Sequence, residues 1–265
     1  MKLINNQVSE YFQESGIDGI YKAIRDAAAI CYQTDVDKMR LQPKEFVEQV
    51  LLKNGHLRPL EFGTVTLTVP KNDLDIRNKI EYILNNQWTQ WKDVDNVYYI
   101  TTNMRVVMCG SYKCDKDAME DDYENCLDIV KYYTEPTKYH PKRRTFTMLA
   151  SRGCTDDMRT HVSLSSMCES TRFCNYSKGK FGNELTFIKP YWITDEACEM
   201  YDEYLKNQDI DIPEELGDQV NFLHCMLLQE KQYINASKMN LQPQQLKRLF
   251  PLGVKAELRL CGFDD

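Results

Sequence analysis

A chain of 265 residues with 42% hydrophobic and 28% charged residues has the composition of an ordinary globular protein, with enough length to bury a sizeable core. Its net charge of −7 excludes the broad basic face that nucleic acid or an anionic membrane needs, but not a local basic pocket for a phosphorylated small molecule. No apolar run approaches the roughly 18 residues that span a bilayer. The opening MKLINNQVSEYFQE lacks an apolar signal-peptide core, so a cytoplasmic chain with no membrane and no nucleic acid is expected.

In chain order, 17–31 places Ile20, Ala23, Ile24, Ala27 and Cys31 on one face of a helix. Residues 43–54 repeat the pattern through Phe46, Val47, Val50 and Leu51, with Gly55 as a C-terminal cap. FGTVTLTV at 62–69 alternates strictly, Val65, Leu67 and Val69 against three threonines, which predicts an antiparallel strand with one covered face. Residues 70–96, polar and carrying Trp88 and Trp91, read as an insertion over the sheet. YYITTNMRVVM at 98–108 passes from strand to helix with Thr102 or Asn103 as N-cap.

Residues 112–142 turn from acidic to basic and read as a surface excursion with one helix. RTFTMLAS at 144–151 alternates again, 152–171 begins as a helix, and 194–206, 216–237 and 242–250 are helical. VKAELRLCGF is a helix or a strand. The fold class is α+β, a single domain over 1–265 with a central antiparallel sheet flanked by helices. Ten cysteines include no CxxC and no paired Cys/His ligand set, so they read as reduced thiols and no metal site is expected.

Chemistry concentrates in 152–189. Between Arg159 and Arg172 lie His161, Ser163, Ser165, Ser166, Glu169, Ser170 and Thr171. Arginine offers a rigid fork of donors and hydroxyls add short ones, which suits a phosphate or a uracil-like base. No Cys–His or Ser–His–Asp set stands out, so no catalytic nucleophile is assigned.

Three blocks in order carry a resemblance: GHLRPLEFGTVTLTV (55–69), ESTRFCNYSKGKFGNELTFI (169–188) and LQPQQLKRLFPLGVKAELRLCGF (241–263), with ITTNMRV (100–106) weaker. Together they resemble the flavin-dependent thymidylate synthases, particularly the form of gut bacteria and their phages. The resemblance implies a homotetramer with shared active sites in a bacterial or phage-infected cytoplasm. It implies FAD as cofactor, dUMP as substrate, methylenetetrahydrofolate as carbon donor and NADPH as reductant. Residue by residue, it implies that Glu169, Ser170, Thr171 and Arg172 hold dUMP, and that Lys247 stands where the family has a substrate-binding arginine. His56, Glu61 and His161 would lie near the flavin; Arg58, in place of a small hydroxyl residue, would either restore positive charge near the flavin phosphates or serve at the surface, and Phe62 replaces a histidine.

The family's Arg-His-Arg motif reads Thr160, His161 and Val162 here. Two charge-assisted contacts worth roughly 1.5–3 kcal/mol each are lost, which weakens FAD binding by orders of magnitude unless replaced. Arg159 is one residue early, a swing of about 100° on a helix, and compensates only if that helix is locally rewound. Two further readings follow: a pyrimidine-nucleotide hydroxymethylase, and a catalytically altered paralogue with a nucleotide-binding, regulatory or structural role.

Overall fold

The computed structural model describes every residue except 74–76, 110–130, 178, 240 and 265. Strands β1 (Lys2–Ile4) and β2 (Gln7–Tyr11) open the chain, ahead of helix α1 (Gly16–Tyr32). Helix α2 (Pro43–Phe46) runs into a π-helical turn, Val47–Leu52, and a 3-10 turn at Arg58–Phe62 leads to β3 (Thr64–Pro70). Next come α3 (Arg77–Leu84), β4 (Gln90–Val94), β5 (Val97–Asn103) and α4 (Met104–Cys109). The motif region holds β6 (Arg143–Ser151), α5 (Arg152–Met158), β7 (Ser165–Cys168) and β8 (Thr186–Ile188). Helices α6 (Asp195–Lys206), α7 (Glu214–Ser237) and α8 (Pro243–Leu246) precede β9 (Lys255–Phe263).

The expected α+β class holds, with helices beside antiparallel pairing in the three-stranded sheet β3-β5-β4. A four-stranded sheet has the order β2-β6-β9-β7, and β1 pairs with β8 in parallel. The chain divides into two compact units. The first comprises Met1–Val8, Met148–Thr160 and Glu169–Leu258; the second comprises Ser9–Thr147, His161–Cys168 and Arg259–Asp265.

In the second unit, α1 buries Ile20, Ile24 and Ala28 with Val47 and Leu51, over β3 residues Val65, Leu67 and Val69. The alternation read in 62–69 is realised as the inward face of β3, each such side chain contributing roughly 1.5–3 kcal/mol. Its threonine face is also engaged: Thr66 Oγ1 donates to Thr134 O at 2.5 Å, and Thr68 Oγ1 meets Thr134 Oγ1 at 2.7 Å. Asn103 is the cap at the strand-to-helix switch, its Oδ1 accepting from Val106 N at 3.1 Å.

The insertion expected over 70–96 is corrected in its second half. Gln90–Val94 pairs with β5 as a sheet strand, joined through Asp95 and Asn96 at φ 52° and 62°. Two successive left-handed residues make the tight hairpin turn whose twist matches the strands, and Asp and Asn tolerate that region. Of the excursion expected over 112–142, residues 112–130 lie outside the described residues.

In the first unit, α6 and α7 pack Ala197, Tyr201, Leu216, Val220, Leu223 and Tyr233 with Leu185, Phe187 and Val254. Buried Glu230 on α7 accepts from Leu185 N at 2.7 Å, which fixes the approach to β8. VKAELRLCGF, left open between helix and strand, is β9.

Candidate functional site

The helix expected from Arg152 stops at Met158. Ser151 caps its start, its Oγ accepting from Cys154 N at 3.3 Å. At the other end Thr160 Oγ1 donates to Asp157 O at 2.7 Å, closing a turn in place of another helical step. The β-branched and hydroxyl residues that follow are weak helix formers, and Ser165–Cys168 is instead a strand buried at all four positions. The helical reading of 159–171 is therefore corrected. Thr160, His161 and Val162 are all exposed, Val162 to 87%. Arg159, also exposed, pairs with Asp156 Oδ1 at 3.2 Å.

Glu169 follows this strand, and its side chain is fully buried. Oε2 accepts from Lys255 Nζ at 2.8 Å and Glu257 N at 3.1 Å, and Oε1 accepts from the Tyr176 hydroxyl. Its backbone is engaged too: Glu169 N donates to Glu257 O at 2.8 Å, and Arg152 Nη2 donates to Glu169 O at 2.9 Å. A buried carboxylate is tolerable only when paired and bonded in this way. Burial, and then the carboxylate charge, push the Tyr176 hydroxyl well above the usual phenol range. The same two causes push the Cys174 thiol up to about 11. Cys174 is thus a protonated core residue, not a nucleophile.

The node anchors a turn. Ser170 O accepts from Phe173 N at 3.2 Å and Cys174 N at 2.9 Å, while Ser170 Oγ accepts from Arg172 N at 3.4 Å. Ser170 and Thr171 are half-buried, and Arg172 is exposed with its guanidinium carbon 5.9 Å from the centre of the Phe173 ring. Arg172 forms no ion pair with a described residue, so its charge faces solvent uncompensated. Lys247, also exposed, starts the 3-10 turn Lys247–Leu249, whose preceding Leu246 is buried. Ser170, Thr171, Arg172 and Lys247 all belong to the first unit.

His56, Arg58, Glu61 and His161 belong to the second unit, whereas Arg159 belongs to the first. His56 is exposed just past the π-helical turn, where Gly55 takes φ 67° and His56 N donates to Leu51 O at 2.8 Å. Such widened turns recur at functional sites. Arg58, exposed, donates from Nη2 to Ser166 Oγ at 3.1 Å. Glu61 is buried with its carboxylate bonded to Arg105, and its carbonyl accepts from Arg143 Nη2 at 2.8 Å.

Arg105, Arg143, Arg152, Tyr176 and Lys255 were not singled out from the sequence. Lys255 lies 86 residues from the carboxylate it neutralises, and no local pattern signals such a pairing. The described residues hold no cluster of His, Cys, Asp or Glu able to bind a metal, and no described helix is long and apolar enough to cross a membrane.

No family model and no curated relative matches the chain. Among solved structures it is similar to thymidylate synthase X from Helicobacter pylori with FAD and dUMP. Identity there is 16%, over 46% of this chain and 52% of that one, with a TM-score of 0.28. A second flavin-dependent thymidylate synthase structure from Helicobacter pylori, complexed with FAD and dUMP, gives the same figures. The match thus spans about half of those chains, 52%. A UMP/dUMP methylase, PolB, from Streptomyces cacaoi bound with 5-Br dUMP is 10% identical over 99% of this chain and 75% of that one, with a TM-score of 0.36.

Proposed function

We propose that this chain binds dUMP and FAD and methylates dUMP reductively to dTMP, taking the carbon from methylenetetrahydrofolate and the electrons from NADPH. The observation that carries the reading is the turn Ser170–Arg172, where two hydroxyl side chains and an uncompensated guanidinium are held at the surface by the saturated Glu169 node. These three residues, in the motif ESTRFCNYSKGKFGNELTFI, supply what an anionic pyrimidine nucleotide needs. Glu169 itself has both carboxylate oxygens and both backbone groups engaged, so it positions the turn and touches no ligand. Lys247 adds a positive charge in the same unit without the planar fork of an arginine.

For the flavin, the fit differs from residue to residue. Arg58 uses one nitrogen on Ser166 and leaves other N–H groups to solvent, and His56 is exposed two residues before it, so both suit an anionic or ring-nitrogen partner. Glu61 is committed to Arg105, and Arg159 to Asp156, so neither holds a cofactor. When bound and reduced, FAD supplies the hydride for the pyrimidine ring. The chain's own part is to fix the nucleotide's phosphate, orient its base and hold the assembly as a homotetramer.

One observation favours a second reading, a nucleotide-binding paralogue without flavin turnover. Thr160, His161 and Val162 lie on an exposed turn that offers no guanidinium, and Arg159 is neutralised beside them. Titration with FAD, followed by visible absorbance, separates the two: saturable binding supports the enzyme, and its absence leaves the paralogue. Calorimetry with dUMP tests the nucleotide site independently. Arg172→Ala is expected to weaken dUMP by roughly tenfold or more, the loss of one charge-assisted contact; unchanged affinity refutes the assigned turn.

A further inference from the structure

We infer that Tyr176 is a positioning residue for both cationic arms of the nucleotide site, setting the Ser170–Arg172 turn through its hydroxyl and the Lys247 turn through its ring. The role rests on the dUMP reading and specifies how that site is held. Every residue involved belongs to the first unit.

Arg172 and Lys247 are both exposed, on turns distant in sequence. Long cationic side chains carry much rotamer entropy, so their use to a ligand depends on how firmly the backbone beneath them is held. On the Arg172 side, the Tyr176 hydroxyl donates to Glu169, the residue that opens the turn, and Cys174 N closes it on Ser170 O at 2.9 Å. On the other side, Lys247, Arg248 and Leu249 are exposed, and the turn is held at its two ends by Leu246 and Phe250. Phe250 N donates to Lys247 O at 3.2 Å, and the Phe250 ring lies 4.7 Å from the Tyr176 ring, tilted by 37°.

Tyr176 is itself firmly seated. It is buried, with the Phe181 ring 4.6 Å away. Buried Tyr233 of α7 meets Tyr176 edge-on at 6.3 Å and Phe250 edge-on at 5.6 Å. Tilted and edge-on ring pairs resist reorientation beyond what burial alone supplies, so the Tyr176–Phe250 contact is a fixed joint between the two turns.

Calorimetry with dUMP on the whole chain tests the joint, below the melting transition of each variant. Tyr176→Phe keeps the ring and loses the hydroxyl bond. It should weaken dUMP roughly fivefold, and Arg172→Ala should cost less in that background than in wild type. Phe250→Ala should also weaken dUMP roughly fivefold, Lys247→Ala should then cost nothing further, and Phe250→Tyr should keep wild-type affinity. A merely structural role would leave each pair of changes additive. The positioning role alone is overturned if wild type binds dUMP and Arg172→Ala and Lys247→Ala each weaken it, yet either pair adds or Phe250→Tyr binds weakly. If wild type fails to bind dUMP, or binds it regardless of Arg172→Ala and Lys247→Ala, the nucleotide reading falls and the role with it.

Discussion

Two side chains hold the Glu169 carboxylate in different ways, beside the Glu257 backbone N–H, and their removal should differ in cost. Tyr176→Phe leaves Oε1 without its donor while the Lys255 charge stays in place, so we expect a loss of about 1–3 kcal/mol. Lys255→Met strands a buried carboxylate and should cost about 3–5 kcal/mol. Chemical denaturation of both variants measures the order, and equal costs would contradict a charge-dominated node. His140 gives a pH signature: burial holds its imidazole below 6.5, with Nε2 bonded to Leu67 O at 3.1 Å and Nδ1 accepting from Thr137 N at 3.0 Å. The unfolded chain therefore binds the proton more readily, and stability falls as pH drops below about 6.5. Comparing unfolding free energies of wild type and His140→Gln between pH 7 and 5 isolates that slope. At this scale the sequence indicated which turn to inspect, through Ser170–Arg172, but not what anchors it. Lys255 and Tyr176 look like ordinary strand and loop residues until the fold brings them to Glu169.

Among the elements, α1, β3, β6, α6 and α7 were legible because each buries a regular stripe, and periodicity reports burial directly. The extension of helix through 159–171 failed because apolar spacing in a short segment does not separate helix from strand, and Thr160 ends the helix by bonding back to Asp157. β4 was missed because Gln90, Lys92 and Asp93 break any apolar alternation and only the Asp95–Asn96 pair marks the hairpin. Two substitutions test these elements. A Cβ added at Gly19 would collide with the Glu14 carbonyl, a backbone atom that cannot rotate aside, so Gly19→Ala should displace the start of α1 and lower the melting temperature by several degrees. Thr194→Ala removes the cap of α6, whose hydroxyl accepts from Ala197 N at 3.1 Å, and should cost about 1 kcal/mol.

For the whole molecule, the charge of −7 is a sum over surfaces of both signs. Net charge averages over a surface, whereas a ligand samples only one concavity. The expected homotetramer predicts a scattering mass near four times 31.2 kDa, and a monomer in solution would remove the shared sites from the reading.

The pairing of Glu169 with Lys255 and Glu257 also has a consequence during synthesis on the ribosome. The carboxylate leaves the exit tunnel shortly ahead of Tyr176 but long before Lys255 and Glu257, which follow 86 and 88 positions later. Until Lys255 and Glu257 arrive it must stay hydrated, so the Ser170–Arg172 turn can be set only after translation has passed β9. Nascent chains arrested before Lys255 should hold that turn open to proteases that the released protein resists.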